Sequence, residues 1–366
     1  MNIIDSSFLF DLARELYADF SYNNSSGKAL MPLRYILELT YRCNLTCPFC
    51  YLQNERKLNE LSCDEWLNII NQIQRYSFIS FLGGEIFLRK DFPILFREAS
   101  KRVFGKVNLY TNATLISDEI LSDIMRNKFL LFSASLDGIG SKHDELRQKE
   151  GAFDKTLNTL LAVKSKKNKK KYPLIEVKSV ILKDNLDELP KLYKLCIDND
   201  FDFITFSFIR TTSFRQNPKL KDNFDTELYK NDYPIEQYFD MEHFSEVYRE
   251  LEALSKNTRT LLRWAPKFKP TGDLEKIKKL FRNGNLHPSE LYKPCKFPFH
   301  DIFINPEGCV YPCMPINMGS VKEHKLSEII NCDKFVKFRK AIKKYKVFKP
   351  CNLCCDLYPT TKYINE

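Results

Sequence analysis

The sequence predicts an α/β fold: a partial (β/α)6 TIM-like barrel followed by a small C-terminal cysteine-rich module. Two observations carry this. From Tyr35 to Ile209, six short β-rich runs alternate with helix-patterned stretches, the signature of βα units around a parallel sheet. Seven of the twelve cysteines then fall between Cys295 and Cys355, where the chain becomes rich in turns.

The elements follow in order. Residues 1–33 read as a helical extension, with Phe8, Leu12, Leu16 and Phe20 at helical spacing forming a docking face. The core spans 34–210, with strands expected at Tyr35–Leu39, Phe78–Leu82, Val107–Tyr110, Leu131–Leu136, Ile175–Ile181 and Phe203–Phe208. Between strands, Ser62 with Glu65 three residues on forms a capping box ahead of Trp66, and Ser117 with Asp118 opens a later helix. Residues 211–290 lose the alternation. Asn217-Pro218, Tyr233-Pro234, Ala265-Pro266 and Lys269-Pro270 interrupt helical patches at His243–Leu254 and Leu274–Phe281, so this stretch reads as a linker or insert and a candidate substrate region. Residues 291–366 form the cysteine-rich module.

A chain of 366 residues with 43% hydrophobic content buries an ordinary core, which excludes disorder. Acidic Asp5 and Asp11 stand where a secretory signal carries basic residues, and no apolar run approaches the roughly 18 residues of a spanning helix. This places the protein in the cytoplasm, where thiols stay reduced. The cysteines therefore point to metal or cluster ligation rather than to a disulfide framework. The net charge is +10, but the one dense basic run, Lys164 to Lys171, lies between a helix and a strand. A solvated loop accounts for it better than nucleic-acid binding, and a basic face suits an acidic electron donor.

The segment Leu37 to Tyr51 reads LELTYRCNLTCPFCY, so a CxxxCxxC set, Cys43, Cys47 and Cys50, follows directly on the first strand. Three thiolates hold three irons of a [4Fe-4S] cluster and leave the fourth open to a substrate. An incomplete shell signals reactivity, and functional loops of parallel barrels lie at the C-terminal ends of strands. A structural zinc site with a remote fourth ligand is the plain alternative; it explains neither that placement nor the motifs that follow.

These residues resemble the signature of the radical SAM superfamily, CxxxCxφC with an aromatic φ, here Phe49. Gly83-Gly84-Glu85 after the second strand resembles the family's GGE. FLRKDF from Phe87, YTNAT from Tyr110, SLDG from Ser135, HDELR from His143 and GAF at Gly151 follow in the family's order. The resemblance covers Tyr35 to Phe208. It implies an enzyme that binds a [4Fe-4S] cluster and S-adenosylmethionine, cleaves the latter reductively to a 5′-deoxyadenosyl radical, and abstracts a substrate hydrogen. By the same resemblance, the backbone of Gly83 and Gly84 and the carboxylate of Glu85 meet the cofactor's methionyl amino group. Ser135 and Arg147 contact its ribose or carboxylate, and Tyr51 lies beside the adenine. The plain alternatives are a capping serine, a surface arginine and a packed tyrosine, and His143 reads as a turn or capping residue. No catalytic acid or base stands out.

Near the C-terminus, PCKFPFHDIFINPEGCVYPC from Pro294 and the closing KPCNLCCDLY place Cys295, Cys313, Cys351 and Cys354 as a four-thiolate set, enough to close a second [4Fe-4S] cluster. A zinc ribbon is the competing reading, since the set ends in CxxC. Gly308 to Cys313 and GSVKEHKLSEI resemble the SPASM module, or a shorter twitch-like form, that follows this type of core. No cysteine follows Cys355, so one auxiliary cluster is expected. Cys309, Cys332 and Cys355 are surplus, as buried thiols, substitute ligands or a hydrogen-atom donor. The resemblance implies a peptide or protein substrate and a flavodoxin- or ferredoxin-type electron donor. A carbohydrate or aminoglycoside-like substrate is the alternative, and a non-catalytic metal or electron-transfer protein the third reading. Only about thirty residues precede the first strand, too few for a separate leader-peptide-binding domain.

Overall fold

The computed structural model describes residues 14–52, 59–167, 170–209, 240–267, 288–290, 292–313, 316–348, 351 and 354–358. Helix α1 (residues 14–23) precedes strand β1 (Arg34–Glu38). The alternation then runs α2 (Cys63–Gln72), β2 (Phe78–Leu82), α3 (Phe92–Arg102), β3 (Val107–Thr111), α4 (Asp118–Met125) and β4 (Leu131–Ser135). It continues through α5 (Ser141–Arg147), α6 (Ala152–Lys167), β5 (Leu174–Ile181), α7 (Leu189–Asp198) and β6 (Phe203–Phe208). The six expected strands form within a residue or two of their expected bounds, and neighbours in this series pair in parallel.

The helix starts are local chemistry. Ser62 Oγ accepts the Glu65 amide at 3.2 Å while the Glu65 carboxylate accepts the Ser62 amide at 2.8 Å, a closed capping box on α2. Ser117 caps α4 through the Ile120 amide.

Among the described residues, four strands lie beyond the expected six. In the stretch read as linker, α8 (Met241–Ser255) leads to β7 (Leu261–Ala265), which pairs in parallel with β6 and continues the barrel rhythm. Phe244, Tyr248 and Trp264 pack together there, with centroids 5.0 to 6.2 Å apart. On the opposite edge, β8 (Asp301–Ile304) pairs in parallel with β1, and β9 (Cys309–Tyr311) and β10 (Gly319–Ser320) extend it antiparallel. Helices α9 (Leu326–Ile329) and α10 (Asp333–Tyr345) follow. The sheet is thus open, in the order β10-β9-β8-β1-β2-β3-β4-β5-β6-β7. Asn217-Pro218, Tyr233-Pro234, Lys269-Pro270 and Leu274–Phe281 lie outside the described residues.

Alternation along each strand separates two faces. One carries Leu37, Phe81, Leu109, Phe132 and Val177, all fully buried within the apolar core that the helices share. The other carries Glu38, Ser80, Asn108, Ser133, Glu176, Thr205 and Ser207, each buried and polar. Asn108 bonds Ser80 at 3.2 Å and Thr205 bonds Glu176 at 2.6 Å across neighbouring strands.

The first helix corrects its expected face. Leu16 and Phe20 are 63% and 69% exposed, while Ala18 and Ser21 are buried and Tyr22 packs edge-on to Phe299 at 5.1 Å. Docking here uses small residues and tyrosines with polar partners: Ser21 Oγ accepts the Leu30 amide at 3.0 Å. Phe8 and Leu12 lie outside the described residues. The basic run also differs from a loop. Lys164 to Lys167 close α6, where Lys164 reaches Asp200 at 3.2 Å and half-buried Lys167 reaches Asp202 at 3.0 Å; residues 168–169 lie outside the described set. Among the described residues no helix is long and apolar enough to cross a membrane.

Ala18→Glu is expected to destabilise the fold by roughly 1–3 kcal/mol in urea unfolding, because it forces a charge into the helix contact. Leu16→Glu is expected to stay within about 0.5 kcal/mol of wild type.

Candidate functional site

The loop after β1 carries Cys43, Cys47 and Cys50. Its backbone is held by the loop after β2: Gly84 N donates to Thr40 O at 2.7 Å and Glu85 N to Arg42 O at 2.8 Å. A Cβ on Gly84 would stand 2.1 Å from Arg42 O, and one on Gly83 would stand 2.5 Å from Thr40 O. Glycine is therefore demanded at both positions by the contact between the two loops.

The Glu85 carboxylate is fully buried. It accepts Thr111 Oγ1 at 2.7 Å, the Asn112 amide at 2.8 Å and the Phe87 amide at 3.1 Å, tying the end of β2 to the end of β3. Burial pushes its pKa up, and these three donors pull it back. Its observed partners are thus internal. Arg89, from the FLRKDF stretch, is nearly buried; it donates to Leu39 O at 3.1 Å and Leu61 O at 3.0 Å while pairing with Asp91 at 2.7 Å. That guanidinium clips the start of the cysteine loop to the start of α2.

The three cysteines are electrostatic neighbours. Burial raises the Cys43 thiol, the Leu45 amide lowers it, and Glu85, Cys47 and Cys50 raise it further. Donors surround the sulfurs. Leu45 N lies 3.4 Å from Cys43 Sγ, Leu52 N 3.4 Å from Cys50 Sγ, and Asn112 Nδ2 3.8 Å from Cys43 Sγ. Asn112 is held by Asn44 Oδ1 at 2.9 Å and by Thr114 N at 3.0 Å. Arg147 Nη1 lies 3.7 Å from Cys47 Sγ, and its guanidinium pairs with fully buried Asp137. Phe49 lies under that guanidinium at 5.3 Å and joins a small cluster with Leu146, Leu182 and Ile209. Tyr51 Oη bonds Glu38 at 3.3 Å, and half-buried Ser135 ends β4.

His143 is buried rather than capping: its Nδ1 accepts the Asp137 amide at 3.0 Å. Burial pulls its pKa down to about 4. Asn112, Asp137 and Arg89 emerge as site residues that the motif strings contained without singling them out; polar residues recurring inside matched strings were the available signal.

In the C-terminal module, Cys295 N donates to Lys346 O at 2.8 Å, Cys351 N to Phe348 O at 2.9 Å and Cys354 N to Cys351 O at 3.1 Å. Burial raises the Cys295 thiol, and neighbouring Cys351 raises it further. Cys313 and Cys354 pack partly buried against the core. Of the surplus cysteines, Cys309 lies on β9, Cys332 Sγ lies 3.6 Å from Met318 O, and Cys355 contacts Asp356 at 3.4 Å. Among the described residues, no three His, Cys, Asp or Glu side chains meet closely enough to hold a single metal ion.

The radical SAM superfamily profile matches residues 37–196, and that of the SPASM iron-sulfur cluster-binding domain matches residues 295–355. The chain carries a radical SAM domain followed by a SPASM domain. Within it, 176 residues are 30% identical to the sporulation killing factor maturation protein SkfB of Bacillus subtilis, covering 47% of this chain and 42% of that protein. The PqqA peptide cyclase of Bradyrhizobium diazoefficiens is 30% identical over 176 residues, 47% of this chain and 45% of that one. The Fe-coproporphyrin III synthase of Methanosarcina barkeri is 31% identical over 175 residues, 47% and 42% of the two. The match thus spans less than half the length of these relatives. Streptococcus suis SuiB, solved with its precursor peptide SuiA, shares the fold at a TM-score of 0.62 and 17% identity over 91% of this chain and 71% of that one.

A radical SAM domain implies a [4Fe-4S] cluster and S-adenosylmethionine, and a SPASM domain implies auxiliary iron-sulfur clusters. The donor set fits the first: three neighbouring thiols on one loop, each with an N–H donor at its sulfur, the kind of second-shell hydrogen bonding that iron-sulfur thiolates receive.

Gly84→Ala in the radical SAM domain is expected to lower stability by roughly 1–3 kcal/mol in urea unfolding, because backbone must move to admit the methyl. A second expectation concerns acid. His143 has a folded pKa below its unfolded value of 6.5, so stability is intact above about 6.5 and falls as pH drops toward about 4. Lowering pH from about 7.5 to about 5.5 should cost roughly 1 kcal/mol through this residue, and His143→Gln should remove that share of the drop.

Proposed function

We propose that the protein is a radical SAM enzyme in which Cys43, Cys47 and Cys50 hold a site-differentiated [4Fe-4S] cluster and Cys295, Cys313, Cys351 and Cys354 hold an auxiliary one. The observation that carries this is the cysteine loop itself, clamped by Gly84, Glu85 and Arg89 at the C-terminal end of β1, with hydrogen-bond donors at all three sulfurs. When bound, the cluster and S-adenosylmethionine supply a 5′-deoxyadenosyl radical that takes a hydrogen atom from the substrate.

The chain's own work is placement. Gly83 and Gly84 leave no side chain between the two loops, which keeps the rim low where the cofactor's methionyl end has to approach. Phe49 and Tyr51 flank the loop and offer ring faces to the adenosyl moiety, and Ser135 at the end of β4 offers a hydroxyl to its polar edge. The polar face of the sheet, from Glu38 through Asn108 and Glu176 to Ser207, supplies donors and acceptors for a polar substrate beside the loop. A fixed substrate hydrogen and excluded water are what the protein contributes to such chemistry.

The substrate we infer is a peptide, supported by relatives named as a killing-factor maturation protein and a peptide cyclase and by a fold neighbour solved with its precursor peptide. A small-molecule substrate is the second reading, favoured by the relative named as a coproporphyrin synthase. A flavodoxin- or ferredoxin-type protein supplies the electron, and the cytoplasm suits the oxygen-sensitive thiolates.

Anaerobic reconstitution tests the reading. Wild type is expected to take up about eight irons and form 5′-deoxyadenosine, whereas the Cys43, Cys47, Cys50 triple alanine variant retains about four irons and forms none. Zinc in place of iron, or iron without cleavage under a competent reductant, would overturn it. Faster cleavage with a candidate precursor peptide than with sugars or porphyrins would select the peptide substrate.

A further inference from the structure

The three thiols of the cysteine loop do not share one environment. Cys50 receives the backbone amide of Leu52, and Cys43 that of Leu45 with the neutral side-chain amide of Asn112. Among the described residues, Cys47 is the thiol of the three that receives a cationic donor, with Arg147 Nη1 3.7 Å from its sulfur. The Arg147 guanidinium has little freedom to leave. Its Nε donates to Asp137 Oδ2 at 2.6 Å, its Nη2 pairs with the same oxygen, Phe49 lies beneath it, and its side chain is 12% exposed.

Asp137 is in turn immobile. It is fully buried, and its other oxygen accepts Val180 N at 2.8 Å and Ser179 Oγ at 3.3 Å from β5. The guanidinium edge engaged by Asp137 is distinct from the Nη1 that reaches the sulfur. The pair therefore presents its positive end to Cys47.

Building on the cluster assignment above, we propose that Arg147 is a positioning residue for electron entry, holding a fixed positive charge against the Cys47 sulfur so that the cluster accepts its electron at a less negative potential. The step is one electron from the external low-potential donor into the oxidised cluster, with no bond formed or broken. Hydrogen bonds to sulfur and local charge both set cluster potentials, and a charge buried away from water is weakly screened. This role is separate from a contact with the cofactor's carboxylate, since it operates before S-adenosylmethionine binds.

The test is a redox titration followed by electron paramagnetic resonance, without S-adenosylmethionine, on reconstituted wild type, Arg147→Gln, Arg147→Lys and the Arg147→Gln/Asp137→Asn pair. The signal of the Cys43, Cys47, Cys50 triple variant is subtracted to isolate the loop's cluster. At a fixed potential, Arg147→Gln is expected to cut the reduced-to-oxidised ratio at least tenfold, about 59 mV for a one-electron couple. Arg147→Lys should recover most of the loss. The double variant strands no buried carboxylate and should show a smaller shift of the same sign; it decides the matter if Arg147→Gln fails to load iron. Unmoved potentials in an iron-loaded variant, with weakened binding of S-adenosylmethionine, would make Arg147 a cofactor contact and overturn the proposal. A wild type without the loop's signal would instead overturn the cluster assignment, and this inference with it.

Discussion

The site depends on backbone touching backbone between the loops after β1 and β2. Gly84 and Glu85 amides meet the Thr40 and Arg42 carbonyls, and the approach leaves no room for a Cβ at Gly83 or Gly84. This contact carries the parallel pairing of β1 and β2 past their formal ends, into a region where the chain would otherwise be an unsupported loop. Everything near the cysteines is then braced from that seam: Glu85 turns inward to β3, Arg89 reaches back to Leu39, and Asn112 at the end of β3 meets Asn44 and Cys43.

Burying Glu85 is costly, and the three donors around it offset that cost only because β2 and β3 end side by side. The carboxylate thus converts strand register into loop geometry. Asp137 acts likewise after β4, joining β4 to β5 and fixing Arg147. Two buried acids, each satisfied by a neighbouring strand, thus brace the surroundings of the cysteine loop, Glu85 through Asn112 beside Cys43 and Asp137 through Arg147 beside Cys47.

What was legible in the sequence was local. Capping serines, alternating strands and the cysteine spacing act over a few residues, and they appear where expected. Strand β7 was hidden because prolines on either side of it, including Pro234 and Pro266, masked the rhythm that α8 and β7 resume. The docking face of α1 is not readable from apolar spacing, because Ala18 and Ser21 are buried in place of Leu16 and Phe20, and Tyr22 packs against Phe299, far along the chain. The roles of Arg89, Asn112 and Asp137 share that character: the residue type was visible, while the carbonyl or sulfur it serves comes from another element.

The pairing of β8 with β1 has a consequence for the order in which the molecule is made. Arg34 and Asp301 are bonded neighbours across 267 positions of sequence, at 2.8 Å. The strand that launches the cysteine loop leaves the ribosome long before its partner, and one of its edges stays open until β8 has been synthesised. Closing so long a loop is slow and exposes unpaired strand in the meantime. The support of the cysteine loop is thereby tied to the synthesis of β8, and a chain truncated before β8 carries the complete cysteine motif on a strand that lacks one of its two neighbours.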